Sequence, residues 1–291
     1  MSGYHHTLLG LVTQTSLHAG SGESDHIVDL PIQREAHTDW PCVFGSGVKG
    51  ALRAKAETFK ESFAEKRVHQ LFGPPPDANG AHEQAGLLMV ADARLVLLPV
   101  RSLNSHFRWV TCPAMLARLN RDLQWIGYST MDLTILNDLK GDDALVHSGD
   151  KTDLYLEEYR FTQQPKTLDS ILAVLKKLMK ERDEEIEKQL TIICDDAFRH
   201  LCRAATPIQT HIRIVNETKT VQDGALWTEE SLPPETLLYT TLTATPIRAK
   251  NANDLMQEAV KDLFEQHPYL QLGGNETTGM GWCQVSIGGG S

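Results

Sequence analysis

"TSLHAGSGESDHIVDLPIQREAHTDWPCVFGSGVKGALR", residues 15–53, strings together a strand end, a glycine-rich loop, an aspartate beside a proline-bounded extended segment, and a helix start that carries cations. From residue 47 to about 66 the apolar residues Val48, Leu52, Ala56, Phe59 and Phe63 recur at helical spacing on one face, with Ser46 or Gly47 as the cap. Lys49 and Arg53 lie four residues apart on one helix face. They sit in the first turns, where the macrodipole already presents positive partial charge and favours anions. Free N–H groups plus two cations make a phosphate cradle, and the plain alternative is that both side chains snorkel to water.

Working outward, residues 8–13 alternate like a first strand, and residues 87–98 read as a long strand or a hairpin leg. Between them "FGPPPDANGAHEQ" is loop chemistry. Residues 113–125 predict a helix opening on proline, and 154–161 a strand. Leu168, Ile171, Leu172, Leu175, Leu178 and Met179 mark another helix, whose Lys176, Lys177 and Lys180 form an ordinary solvated face. The charged run 180–188 extends or follows it. Residues 190–215 read as strand, helix capped at Asp195 or Asp196, and strand, a βαβ pattern. Residues 216–235 hold two turn signals, and 237–244 alternate like a returning strand, so the segment predicts an extended hairpin projecting from a sheet. After a final helix at 252–265 come Gly273, Gly274, Gly279 and Gly281, followed by a strand rather than a helix. That order excludes a Walker or dinucleotide loop. The loop either hugs a phosphodiester chain or makes a plain tight turn.

Composition sets outer limits. The 291 residues are 41% hydrophobic, enough for a substantial core without staples. Five scattered cysteines without a CxxC pair argue for a reducing, cytoplasmic setting. The N-terminus lacks the pattern of a signal peptide, and no segment has membrane-spanning length. The net charge of −10 restricts any polyanion site to a local basic surface. His5, His6, His18, His26 and His37 cluster in sequence, yet their spacing matches no zinc ligand pair.

"LHAGSG", "DLPIQRE", "FGSGVKGALR", "ETKTVQDGALWTEESLPPETLLY" and "LGGNETTGMGW", in this order, closely resemble the backbone RAMP subunit of type III-B CRISPR effector complexes. "DLPIQRE" and the hairpin segment are the more specific parts. The resemblance implies an α+β fold, with a ferredoxin-like (RRM-type) palm, inserted finger elements and a projecting β-hairpin thumb. It places one RAMP domain at 1–285, the thumb at about 211–240, insertions at about 67–86 and 126–150, and a tail at 286–291.

By the same resemblance the chain polymerises head to tail along a guide CRISPR RNA beside other type III-B subunits, with no membrane. It cleaves the paired target single-stranded RNA at regular intervals. Ser46, Lys49 and Arg53 would contact guide phosphates, as would the loop of Gly273, Gly274, Gly279 and Gly281. Asp29, directly before "LPIQRE", would be catalytic, as base or as ligand of a divalent metal, magnesium or manganese; Asp25 is the competing carboxylate. His18 would orient the phosphate or cap its loop. Glu229 and Glu230 would come from a neighbouring subunit's thumb if the site is composite. Leu226 and Trp227, near the thumb tip, would wedge between base pairs, unless Trp227 packs on its own sheet. The competing expectations are a backbone subunit that has lost cleavage or serves another type III class, and a ferredoxin-like metabolic enzyme that binds a nucleotide.

Overall fold

Alternation along the first strand sets the architecture. In this computed structural model, which describes residues 3–25, 27–59, 62–75, 85–180 and 182–288, the strand β1 (His5–Thr13) sends Leu9 and Leu11 into one core and Leu8 and Val12 into another. Successive strand side chains point to opposite faces, so the sheet built on β1 is covered on both.

The remaining strands are β2 (Cys42–Val43), β3 (Met89–Val90), β4 (Ala93–Arg101), β5 (Phe107–Thr111), β6 (Asp143–Val146), β7 (Asp153–Leu156), β8 (Tyr159–Pro165), β9 (Leu190–Ile192), β10 (Ile208–Ile214), β11 (Val221–Glu230), β12 (Leu237–Ala244), β13 (Tyr269–Gln271) and β14 (Trp282–Gly288). The helices are α1 (Gly45–Thr58), α2 (Glu65–Phe72), α3 (Pro113–Ile126), α4 (Asp169–Met179), α5 (Asp183–Gln189), α6 (Asp195–Ala204) and α7 (Ala252–Phe264). One mixed sheet runs β13-β14-β1-β12-β4-β5-β9-β6-β8-β7, with β2 beside β4 and β3 beside β12. Its centre, β14-β1-β12-β4, is antiparallel throughout.

Helices α1 and α7 cover one face, where Val48, Leu52, Met256 and Leu263 join Leu9, Leu11, Leu238 and Leu242. On the other face α3 and α4 bring Leu116, Leu123, Leu172 and Leu175 against Leu8, Val12, Leu237 and Tyr239. Close approach there depends on Gly10, where a Cβ would lie 2.3 Å from the Leu178 carbonyl oxygen. Among the described residues no helix is long and apolar enough to cross a membrane.

Several expectations need correction. The first helix ends at Thr58, and α2 is a separate helix; Phe59 leaves helical geometry and its ring stacks on that of His267, centroids 5.5 Å apart. Residues 154–161 form a tight hairpin, with Glu157 at positive φ in the turn. Strand β9 lies inside the large sheet while β10 belongs to a separate two-stranded sheet, so 190–215 is not a βαβ unit.

The hairpin's returning strand is β11 rather than 237–244; β12 lies buried between β1 and β4. Pro233 and Pro234 separate the two alternating runs. Asp223-Gly224 makes no turn: it falls inside β11, near an irregularity in the ladder. Strand β14 runs through Gly288, so Ser286–Gly288 belong to the fold, with Ser286 Oγ donating to Leu178 O at 2.6 Å. Of the expected insertions, 126–150 contributes β6 to the sheet itself, and 76–84 lies outside the described residues, as do His26 and 289–291.

Candidate functional site

The loop after β1 folds back along the root of the β10/β11 hairpin. On one edge β11 pairs with β10, placing Thr228 opposite Thr210 and Glu230 opposite Ile208. On its other edge Leu30 adds a short parallel bridge, donating to Thr228 O at 3.0 Å and accepting from Glu230 N at 3.0 Å. Pro31 follows without an N–H, which suits a strand edge.

This pairing sets Asp29 beside Thr228. The Asp29 side chain is exposed, yet its Oδ2 accepts from the Thr228 N–H at 2.7 Å and from the Thr228 hydroxyl at 2.8 Å. The Asp29 N–H donates back to Thr228 Oγ1 at 3.0 Å. Backbone and hydroxyl donation from Thr228 hold the carboxyl below its usual range, so it is ionised at neutral pH. No hydrogen bond among the described residues reaches Oδ1. Asp25 is exposed too, and no hydrogen bond or ion pair among the described residues holds its side chain.

Beneath Asp29 lies a buried clamp built from the rest of "DLPIQRE". Arg34 pairs with Glu230 and donates to the carbonyls of Asp39 at 2.9 Å and Cys202 at 3.0 Å. Glu230 also accepts from the Ile32 N–H at 3.1 Å and the Thr206 hydroxyl at 2.7 Å, which satisfies its buried charge. Gln33 bridges the glycine loop and the helix start, donating to Gly20 O at 3.0 Å and accepting from Phe44 N at 2.7 Å. Glu35 pairs with Arg118 at 2.5 Å.

His18 is buried, its Nδ1 2.7 Å from Glu230 O and 3.8 Å from Glu229 Oε1. Asn275 donates to Glu229 at 2.5 Å. Both glutamates are thus held within their own chain at the hairpin root, 6% exposed, rather than reaching toward a neighbour from the thumb. The glycine loop packs on the same place. A Cβ at Gly273 would meet His18 O at 2.2 Å, and one at Gly281 would meet Leu272 O at 2.0 Å, both at positive φ. Packing inside the chain accounts for these two glycines. Gly274 donates to His18 O at 2.8 Å, while Gly279 faces open space.

At α1 the N-cap is Phe44, with no side-chain cap, rather than Ser46 or Gly47. The first N–H, of Gly45, donates to Asp92 Oδ1 at 2.7 Å, so this helix end already serves one anion of its own chain. Ser46 remains exposed. Arg53 pairs with Glu57 at 2.8 Å and donates to Gly73 O at 3.1 Å. Lys49 is half-buried and has no hydrogen bond or salt bridge among the described residues. Burial, then the charges of Arg248 and Arg53, push its ammonium pKa down.

The hairpin stands largely in solvent. Ile212, Ile214, Val221 and Leu226 are each about half exposed or more, an apolar ribbon that a lone chain leaves uncovered. Leu226 and Trp227 lie mid-hairpin rather than near its tip, opposite Ile212 and His211, and successive residues face opposite sides. Trp227 stacks on His211 of its own hairpin, centroids 5.4 Å apart.

Among the described residues no cluster of three or more histidine, cysteine or acidic side chains has metal-ligand geometry. A single exposed carboxylate with one open oxygen still fits magnesium, which commonly takes one or two carboxylates and keeps its waters. No local pattern marks Thr228 or Arg248, because each meets its partner, Asp29 or Lys49, far along the chain; Gln33 and Arg34 lie inside "DLPIQRE", where nothing in the spacing assigns them their contacts.

Comparison with known proteins bears on the whole arrangement. The model of the RAMP superfamily matches residues 11–284. The CRISPR system Cmr endoribonuclease Cmr4 of Pyrococcus furiosus is 38% identical over 286 residues, covering 96% of this chain and 95% of that protein. The crystal structure of oligomeric Cmr4 from Pyrococcus furiosus superposes with a TM-score of 0.73 at 31% identity, covering 97% of both chains. A subunit of the type III-B Cmr-beta complex bound to cognate target RNA shares the fold, with a TM-score of 0.75 at 21% identity over 97% of this chain and 96% of that one.

Proposed function

The chain belongs to the RAMP superfamily and, within it, to the backbone-subunit family of type III-B CRISPR effectors, and from that premise we propose that it binds guide-RNA phosphates in a head-to-tail filament and cleaves paired target RNA at Asp29. The observation that carries this reading is the ionised, exposed carboxylate of Asp29, fixed to the root of an apolar hairpin with one oxygen open. The central order β14-β1-β12-β4, with α1 and α7 on one face, supports a ferredoxin-like palm. The β10/β11 hairpin is its thumb.

Lys49, with Arg53 and Arg248 near enough to act on it, supplies a local basic surface on a chain of net charge −10. Phosphate contacts of this kind position RNA without reading it, which leaves sequence to base pairing. The exposed face bearing Ile212 and Leu226 is suited to wedge between stacked pairs and free one nucleotide. The 2′-hydroxyl of that nucleotide then gives its proton to Asp29 Oδ1, its oxygen attacks the adjacent phosphorus, and the bond to the 5′-oxygen breaks. A cyclic phosphate results and, once the leaving oxygen takes a proton from water, a 5′-hydroxyl. In the alternative role, with Oδ1 as a ligand rather than the base, Asp29 would hold a divalent ion, magnesium or manganese, that would supply charge neutralisation at the phosphate.

Copurification tests the binding half of this reading. The purified protein should carry RNA, absorb strongly at 260 nm and run as a heterogeneous oligomer; a nucleic-acid-free, discrete species that takes up no guide RNA would contradict it.

A further inference from the structure

We propose that Thr228 is a positioning residue for cleavage: it locks Oδ2 of Asp29 so that Oδ1 alone faces the scissile linkage, and it couples that carboxylate mechanically to the thumb. This rests on the reading of Asp29 as the cleaving carboxylate.

An exposed aspartate ordinarily turns its two oxygens freely, and effective catalysis requires the reacting oxygen to be held in one place. Here, among the described residues, the Asp29 carboxylate receives hydrogen bonds from Thr228 alone, at 2.7 and 2.8 Å on the same oxygen. The Thr228 hydroxyl is used in both directions, since it also accepts the Asp29 N–H at 3.0 Å. A β-branched side chain in a strand has restricted χ1, so the hydroxyl is itself held in orientation. The backbone repeats the link, with Leu30 N donating to Thr228 O and Glu230 N donating to Leu30 O, both at 3.0 Å. Asp29 therefore follows β11 wherever β11 goes. Two residues outward on the same face of β11 is Leu226, 66% exposed on the apolar ribbon. Seating the ribbon in a duplex sets the position of the carboxylate at the same moment, so cleavage is tied to insertion.

Single-turnover cleavage at saturating target, in the complete guide-RNA-bound assembly, tests this with Thr228→Val, Thr228→Ser and Asp29→Asn. Thr228→Val keeps the backbone donor and the shape but loses the hydroxyl. Its rate constant is expected to fall about 10- to 100-fold with target affinity unchanged, as for a misplaced reacting group, while Thr228→Ser stays within about threefold of wild type. Asp29→Asn should be inactive. Wild-type rates in Thr228→Val beside an inactive Asp29→Asn would overturn the proposal. So would a Thr228→Ser as slow as the valine variant, or a loss confined to target affinity. An active Asp29→Asn would instead overturn the assignment of Asp29, and this inference with it. Should the valine variant fail to assemble, Thr228→Ala beside Thr228→Ser makes the same comparison.

Discussion

Arg34 spends its guanidinium entirely inside the chain, on Glu230, Asp39 O and Cys202 O, and that is why "DLPIQRE" works as a unit. Removing one member of a buried pair leaves the other charged and uncompensated. Arg34→Met, which keeps the apolar stem, should lower unfolding stability by about 3–5 kcal/mol in denaturant titration; a change under about 1 kcal/mol would contradict the clamp. The cysteines give a second check. Burial pushes the thiols of Cys42, Cys202 and Cys283 up to about 12 and raises that of Cys112 well above its usual value, leaving half-exposed Cys194. Native alkylation near pH 8 should label Cys194 alone, and unfolding should open all five; rapid native labelling of Cys42 or Cys283 would contradict the packing. At this scale the sequence was legible only by resemblance. Asp29 stood out beside its motif, but Thr228 lies 199 residues away, and tertiary partners of that kind leave no trace in spacing.

At the scale of elements, the strongly periodic helices and β1 were readable because one apolar face is enough to define them. The break after Thr58 was not, since no glycine or proline marks it and the contact made there, the ring of Phe59 on that of His267, is tertiary. The hairpin was readable as a hairpin but not by its strands, because both β11 and 237–244 are strand-like and the sequence reading runs the hairpin through the Pro233-Pro234 break between them. The register of β10 on β11 decides how the thumb can be tested. Replacing residues 212–226 by an Asn-Gly turn joins His211 to Trp227, removes Ile212 and Leu226 and leaves the Thr228 contacts at the root intact. Such a variant should fold and bind guide RNA yet lose regular target cleavage; a surviving regular ladder would show that the outer hairpin is dispensable. Helix α1 makes a separate claim. Lys49→Ala should weaken guide binding and reduce the salt slope by roughly 0.7, one phosphate contact on single-stranded RNA, and an unchanged slope would remove Lys49 from the interface.

For the whole molecule, a sheet covered on both faces leaves the exposed, ligand-facing chemistry to what projects from it: the loop bearing Asp29, the start of α1 and the hairpin. The fold brings the first two together through Gln33 and the first and third through Thr228 and Glu230. On the proposed reading, guide binding and cleavage are separable in residues although joined in structure. A guide-matched, end-labelled target RNA incubated with assemblies of wild-type, Asp29→Asn and Asp25→Asn protein tests this most directly, with target capture measured alongside. Asp29→Asn keeps the side-chain shape but loses its basicity and its anionic charge. It should capture target as the wild type does and yield no products, while wild type and Asp25→Asn give the same regular ladder. An intact ladder from Asp29→Asn, or its absence from Asp25→Asn alone, would contradict the account.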